Sequence, residues 1–353
     1  MKNLFINTYI ESKLISKDEK TKLIQYLKGE GFIYTRKSKN ISGLNCIRKD
    51  DNDKLKIIFN NIEAIFDGKS ILEAVERHEI NRNYKYSAIF KIKDYEVNKD
   101  YIHENIISDA DILEEIEELM PYIDTNNPKF IFVEEDNDYL VLKLNYKIIN
   151  TSETLDIKYP VLCVLYKDLG IVEIRLTGLN NQFKTSDTIY KYYIDSAIRK
   201  LSMSFKIEVE NINFREISKN ILEEKRENVV IYSQWMEGSF GSHARLKVSE
   251  DGDNIYILPI LGHLDKFIET NDVLKNNNEA KSAIREFIKK VNEEHDFVRR
   301  AICWLNDDDS IDYVVEFIHE YKGSDYSVLQ NYFNNHDMED MNDVTRNIIS
   351  YKK

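Results

Sequence analysis

A short turn is the tightest constraint on this chain. Val161 to Tyr166 and Ile171 to Thr177 are apolar runs of strand length separated only by Lys167-Asp168-Leu169-Gly170. A connection that short joins antiparallel neighbours, since parallel strands need a crossover of a dozen or more residues. Phe130 to Glu134 and Tyr139 to Ile149 flank Glu135-Asp136-Asn137-Asp138 in the same way. Ser186 and Asp187 then read as caps of a helix in which Tyr190, Tyr193, Ile194, Ala197, Ile198, Leu201 and Phe205 recur at helical spacing. Such a stripe has to be buried, and a four-stranded antiparallel sheet is the surface on offer. The expected class is α+β, with antiparallel hairpin-built sheets covered by amphipathic helices.

The same signals divide the 353 residues, for which about 150 residues per domain predicts two domains. Residues 1–82 read as a small, mostly helical, basic helix-hairpin-helix module. Ser16-Lys-Asp-Glu19 is a capping box opening a helix over 17–28, and Phe32 to Thr35 is extended. Arg36-Lys37-Ser38-Lys39-Asn40 is an exposed basic loop before a second extended piece at Asn45 to Arg48. Leu55, Ile58, Phe59, Ile62 and Ile65 have the helical period, Asp67-Gly68 stops it, and Ser70-Ile-Leu-Glu73 is a second capping box. Residues 83–210 form an α+β domain that adds a strand at Tyr86 to Ile92 and a helix capped by Ser108, carrying Ile112, Leu113, Ile116, Leu119 and Met120 up to Pro121. A soft boundary falls near residues 208 to 228. Residues 211–353 form a second α+β unit with an acidic tail. In it a helix near 212–227 leads to strands at Val229 to Tyr232, Ala244 to Val248 and Ile255 to Ile260. A helix at Glu279 to Asp296 turns Ile284, Phe287, Ile288 and Val291 inward, before strands at Ala301 to Leu305 and Ile311 to Tyr321.

Charge and cysteine usage restrict function further. The first 60 residues carry 13 Lys and Arg against 7 Asp and Glu, a net of +6 within a total of −13, so the remainder carries −19. An acidic body disfavours generic binding to phosphate backbones, while the basic segment can meet nucleic acid or pack on the acidic body. The longest apolar run, Tyr159 to Tyr166, is far short of the roughly 20 residues that span a bilayer, and Glu11 interrupts any signal-peptide core, so a cytosolic protein without a membrane partner is expected. Cys46, Cys163 and Cys303 lie over a hundred residues apart without CxxC or CxxH neighbours and read as reduced structural thiols. The wealth of Asn, Ile, Lys and Tyr beside 11 Gly and 4 Pro points to a low-GC bacterium or its mobile elements.

Few residues carry a chemical signal. Asp312 with Glu320 and Lys322 is the most nuclease-like set, since an acidic pair holds a divalent cation and a lysine orients water. Glu-x-Lys on a strand shares one face. Yet Tyr313, Val315 and Phe317 alternate with Asp312, Glu316 and Glu320, the pattern of a half-buried strand with a solvated outer face. Glu173 and Arg175 read as a surface or cross-strand ion pair. Gly238-Ser239-Phe240-Gly241-Ser242-His243 after Trp235 is the densest glycine cluster, a flexible strand entry or a loop for a ligand or partner through Trp235, Ser239, Ser242 and His243. The sequence contains no phosphate loop, GxGxxG run, GxSxG elbow or paired metal-ligand histidines. His295 reads as packed, and the run His336 to Asp343 as a solvated acidic face.

No cofactor is expected. The reading that follows is a non-enzymatic macromolecule-binding protein, whose partner is another protein and whose 22 Tyr and 16 Phe supply contact residues. A role in bacterial defence or counter-defence suits its character. The alternatives are a metal-dependent nuclease using Asp312, Glu320 and Lys322, and a nucleic-acid-binding protein using Arg36, Lys37, Lys39, Arg48 and Lys49 of the first 80 residues.

Overall fold

The computed structural model describes residues 1–35, 43–82, 84–150, 155–224, 228–237, 243–247, 264, 267–268, 270–271, 274, 277–294, 296–306, 311–332 and 337–352, without the side chains of 236–237, 243–247, 288–294 and 296–297. It has the expected α+β class. The chain forms two compact units, Met1–Ile212 with Asn334–Asp343 and Asn213–Phe333 with Val344–Lys353.

The first unit begins with α1 (Lys2–Ile6), continued by a π-helical turn at Asn7–Glu11, and α2 (Lys17–Gly29). The Ser16 hydroxyl accepts from the Glu19 N–H at 3.1 Å while the Glu19 carboxylate accepts from the Ser16 N–H at 2.9 Å, so the first capping box forms as read. Then come β1 (Ile33–Tyr34), β2 (Leu44–Asn45), α3 (Asp51–Asn60), β3 (Ile65–Phe66), β4 (Lys69–Ser70) and α4 (Ile71–His78). The expected basic hairpin is corrected here: β1 and β2 pair in parallel, Ile33 opposite Leu44, whereas a hairpin pairs its strands antiparallel. Ile65 also leaves the apolar stripe of α3, 67% exposed, because Asp67 and Gly68 take positive φ and fold a tight β3–β4 turn. Only half of the second box forms. Ser70 accepts from the Glu73 N–H, while the Glu73 carboxylate is engaged by Arg77 at 3.0 Å.

The sheet of this unit is built from β5 (Tyr86–Ile92), β6 (Asp111–Ile112), β7 (Ile123–Asp124), β8 (Phe130–Glu135), β9 (Tyr139–Asn150), β10 (Leu155–Tyr166), β11 (Ile171–Leu176) and β12 (Val209–Asn211). Its order is β5-β11-β10-β9-β8-β6, with β12 on β5 and β7 on β9; all pairs are antiparallel except β6 on β8 and β7 on β9. β10 is twice the expected length and includes Pro160. That residue lies one position beyond the last pair with β11, so only the β9 ladder has to accommodate its missing N–H. The helix expected after Ser108 lies upstream instead, as α5 (Tyr95–Asp109). It escapes a periodicity reading because only Tyr95, Ile102 and Ile106 face inward and no side chain caps it.

α6 (Ile189–Phe205) covers the sheet as expected. Tyr193 packs 4.7 Å from the Tyr146 ring and 5.0 Å from that of Tyr159, and Phe205 lies 5.1 Å from Phe130. Its N-cap is Thr188, without a side-chain cap, in place of Ser186 and Asp187.

The second unit contains α7 (Phe214–Glu223), β13 (Val229–Glu237), β14 (His243–Lys247), α8 (Asn278–Glu294), β15 (Asp296–Leu305), β16 (Ile311–Ile318) and β17 (Val328–Asn331). These strands run antiparallel in the order β14-β13-β15-β16-β17. The expected strand Ile255 to Ile260 and His295 lie outside the described residues. In α8 the structure departs from expectation at Phe287, which is 57% exposed, while Ile284 is half-buried; the side chains of Ile288 and Val291 lie outside the described ones. β16 is not solvated on one side: Val314 packs with Ala301 and Cys303, and Glu316 is buried with the Tyr332 hydroxyl donating to it at 2.7 Å. The C-terminal helix α9 (Met338–Ser350) corrects the solvated tail, since Met338, Met341 and Asn342 are buried in the first unit. Cys46, Cys163 and Cys303 are free and buried, as read.

Burial also creates a pH dependence in the second unit. His319, its Nδ1 2.9 Å from the Ser327 hydroxyl, is pushed down to about 3 from the usual 6.5, first by burial and then by the charges of Arg215 and Arg300. Between these values the unfolded chain binds a proton that the folded one does not, so stability falls as pH drops from 6.5 towards 3. The expected slope approaches ~1.4 kcal/mol per pH unit in that window. Urea unfolding followed by tryptophan fluorescence checks it, because both tryptophans, Trp235 and Trp304, lie in this unit; a His319→Gln variant should flatten the slope.

Candidate functional site

The residues singled out by sequence are dispersed. Asp312 lies at the start of β16 and Glu320 past its end, roughly 20 Å or more along an extended strand. Glu320 and Lys322 occupy left-handed positions (φ 48° and 52°) in the turn after β16, so the shared strand face expected of Glu-x-Lys does not exist. The Glu320 carboxylate accepts from Arg215 at 3.1 Å. Among the described residues no group of three His, Cys, Asp or Glu is placed to hold a metal ion. Arg36, Lys37, Lys39, Ser239 and Ser242 lie outside the described residues; His243 opens β14 opposite Glu237, and its side chain is likewise outside them. Arg48 and Lys49 are exposed in the turn after β2, Arg48 with φ 59°. Trp235 stands on β13, 40% exposed, with the Arg299 guanidinium 4.8 Å from its ring centre.

Glu173 and Arg175 are paired, at 2.8 Å, but fully buried rather than on the surface. Arg175 donates from Nη2 also to the Tyr166 hydroxyl at 2.8 Å and to Asn342 Oδ1 at 2.7 Å. The pair is buried because the segment carrying Asn342 closes over a sheet face that looked open from β11 alone.

A larger charge cluster is invisible to motif reading. α4 carries Glu76 near its end and is followed by Glu79, about one helical turn away; β9 supplies Lys143 and Asn145 from one face, and β10 supplies Lys158. Lys143 Nζ donates to Glu76 Oε2 and Glu79 Oε2, both at 2.6 Å, and to the Glu76 carbonyl at 3.1 Å. Lys158 Nζ donates to Glu79 at 2.7 Å and to Glu76 Oε1, and lies 4.4 Å from the Phe5 ring centre. The Tyr9 hydroxyl donates to Glu79 Oε1 at 2.6 Å, Asn145 to Glu76 at 3.1 Å, and Arg82 Nη1 stands 3.9 Å from Glu79. Burial raises the Glu79 carboxyl, but Lys143, Lys158 and Arg82 outweigh it and hold it well below its usual value. Burial pushes the Lys158 amine down, while for Lys143 the two carboxylates overcome burial and hold it up. Buried and paired within itself, this cluster ties the N-terminal helices to the sheet. The available signal was Lys143 inside Leu140-Val141-Leu142-Lys143-Leu144, a cation where a two-sided buried strand should be apolar.

A concave feature with accessible polar groups is a cleft of about 250 Å³ in the first unit, lined by Tyr95, Lys99, Asp100, Ile102 and His103 of α5, Leu140 of β9, Leu165 of β10 and Lys167. One wall is set by a clamp. Glu135 accepts from Lys167 at 2.7 Å and contacts His103 Nε2 at 2.7 Å, and Lys167 also donates to the Asp136 carbonyl at 2.6 Å. Lys167 first, and His103 after it, keep the Glu135 carboxyl below its usual value. Gly170 shapes the far end: with φ +60°, it brings the backbone so close to Tyr95 that a Cβ would meet the ring at 2.9 Å. α5 therefore stands at a fixed distance from the β10–β11 turn. Compared with models of known protein families and with curated proteins, the chain matches none of them.

Proposed function

We propose that this is a non-enzymatic binding protein that holds another protein, with the Trp235 and Arg299 face of the second unit as its contact surface. The observation that carries the reading is the pairing of an exposed tryptophan with an arginine already stacked on its ring. Trp and Arg dominate the energetically important positions of protein interfaces, and a side chain ordered before binding loses less entropy on contact. The buried charge clusters support it in a second way. Glu76, Glu79, Lys143, Lys158, Glu173 and Arg175 act on one another, as scaffold does, not on a solvent-facing cleft.

The test begins with tagged protein purified from its source organism and identification of what co-purifies, then measures affinity for that partner made separately. Trp235→Ala is expected to weaken binding about 30-fold, the equivalent of ~2 kcal/mol, with the circular dichroism spectrum unchanged. Unaltered affinity in both Trp235→Ala and Arg299→Ala removes this surface from the reading.

A further inference from the structure

One amide in the buried charge cluster is only half satisfied. Asn145 donates from Nδ2 to Glu76 Oε2 at 3.1 Å, while its own Oδ1, equally buried, has no hydrogen-bond partner among the described residues. Lys158 Nζ donates to the other oxygen, Glu76 Oε1. One carboxylate therefore holds an amine on one side and a carboxamide on the other. The sheet brings the same pair together: Lys158 of β10 lies opposite Lys147 of β9, and Asn145 precedes Lys147 by two residues on that face. Such diagonal neighbours on adjacent strands are within reach of a long side chain. Glu76 and Asn145 are 0% exposed and Lys158 is 1% exposed, so bulk water is kept from all three.

An amine and a carboxamide held against one carboxylate, away from water, are the parts needed for an aminolysis. We propose that the Lys158 amine and the Asn145 side chain join in an isopeptide bond, with Glu76 as the proton carrier. Nζ attacks the Asn145 Cγ while Glu76 Oε1 takes a proton from it, and Oε2, already in contact with Nδ2, delivers a proton to the leaving nitrogen. The Nζ–Cγ bond forms and the Cγ–Nδ2 bond breaks. Lys158, an ammonium at the outset, gives up two protons, the Asn145 nitrogen leaves with both as ammonium, and Glu76 is returned unchanged. Lys143 has a different part. Its Nζ meets the same Glu76 Oε2 as the Asn145 amide, which puts a positive charge beside the carboxamide whose oxygen turns negative during the attack. For Lys143 burial is outweighed by Glu76 and Glu79, which hold its amine charged, whereas burial pushes the Lys158 amine down towards the neutral, nucleophilic form. The reaction also removes an unbalanced buried charge. Before it, Lys143, Lys158 and Arg82 stand against Glu76 and Glu79; after it, Lys143 and Arg82 balance the two carboxylates.

The experiment is the intact mass of the full chain, purified folded and kept at neutral pH, followed by peptide mapping. The expected mass is one ammonia below that of the sequence. Trypsin should then fail to cut after Lys158 and should release a branched peptide in which the segment Leu144 to Lys147 is attached to that side chain. Chain held in urea from lysis onward should keep its full mass, since only the fold brings the groups together. Asn145→Ser and Lys158→Arg should keep theirs as well, and Glu76→Gln should lose ammonia about a hundredfold more slowly, the scale of a missing general acid and base. The parent protein's own mass decides the matter, so a variant that does not fold leaves the test standing. The proposal is overturned if the folded chain retains its full mass after days, if ammonia is lost without the branched peptide, or if the branch lies on Lys143. Trp235 and a protein partner play no part in this measurement, so its failure and that of the proposed function are read separately.

Discussion

Replacing Lys143 by methionine is expected to destabilise the first unit by about 3–5 kcal/mol, the range observed when one member of a buried ion pair is removed. The cause is what it leaves behind. Glu76 and Glu79 sit fully buried about one helical turn apart, and without Lys143 their two charges face Lys158 and a distant Arg82. The loss is comparable to the lower end of the roughly 5–15 kcal/mol stability of an ordinary domain, so partial unfolding at ambient temperature is expected. Urea unfolding monitored by far-ultraviolet circular dichroism reads it, while tryptophan fluorescence, confined to the second unit, serves as internal control. Substituting Glu76, Glu79, Lys143 and Lys158 together by leucine and methionine should be milder than the single change, because the two carboxylates and two ammoniums leave together and only Arg82, 3.9 Å from Glu79, loses its carboxylate. An unchanged transition in Lys143→Met would mean that water reaches the cluster. The depressed Glu79 carboxyl adds a pH signature. Its stabilisation is complete above the unfolded carboxylate value of 4.5 and is lost as pH falls below it towards the folded value.

Arg175→Met is the second large effect, again about 3–5 kcal/mol in the first unit. Arg175 gives Nε and Nη2 to Glu173 at 3.0 and 2.8 Å, so its loss takes this cation from a carboxylate that is 1% exposed on β11, where the Tyr166 hydroxyl still donates at 3.0 Å. Asn342 Oδ1 loses this donor in the same step. A double-mutant cycle with Glu173→Leu separates pairing from packing: the double variant should lose less than the two single losses added together, with a coupling of about 1–3 kcal/mol. Additive losses in the cycle would show that Arg175 contributes by its packed volume alone.

These two clusters mark where sequence reading stops. The β10–β11 turn, the α2 capping box, the α6 stripe and the strand Tyr86–Ile92 were legible because short connections, caps and periodicity are local properties of the chain. β11 was legible as a strand, yet its polar residues were not legible as buried, since what covers the Glu173 and Arg175 face includes Asn342, 167 positions after Arg175. Likewise Lys143 announces an anomaly in β9, but not that Glu76 and Glu79 arrive at its ammonium from α4 and the turn after it. The cleft was illegible for the same reason. Lys99, Asp100 and His103 lie on α5, which lacks both cap and stripe, and the Leu140 and Leu165 floor exists only once β9 and β10 are in register. Asp312 and Glu320 show the converse, a set that proximity in sequence suggested and that an extended strand and a left-handed turn pull apart. By itself the sequence determined the α+β class and most elements, because backbone preferences and side-chain periodicity act over a few residues. Only the tertiary structure decided which charges are buried together, because desolvation and pairing depend on neighbours brought from distant parts of the chain.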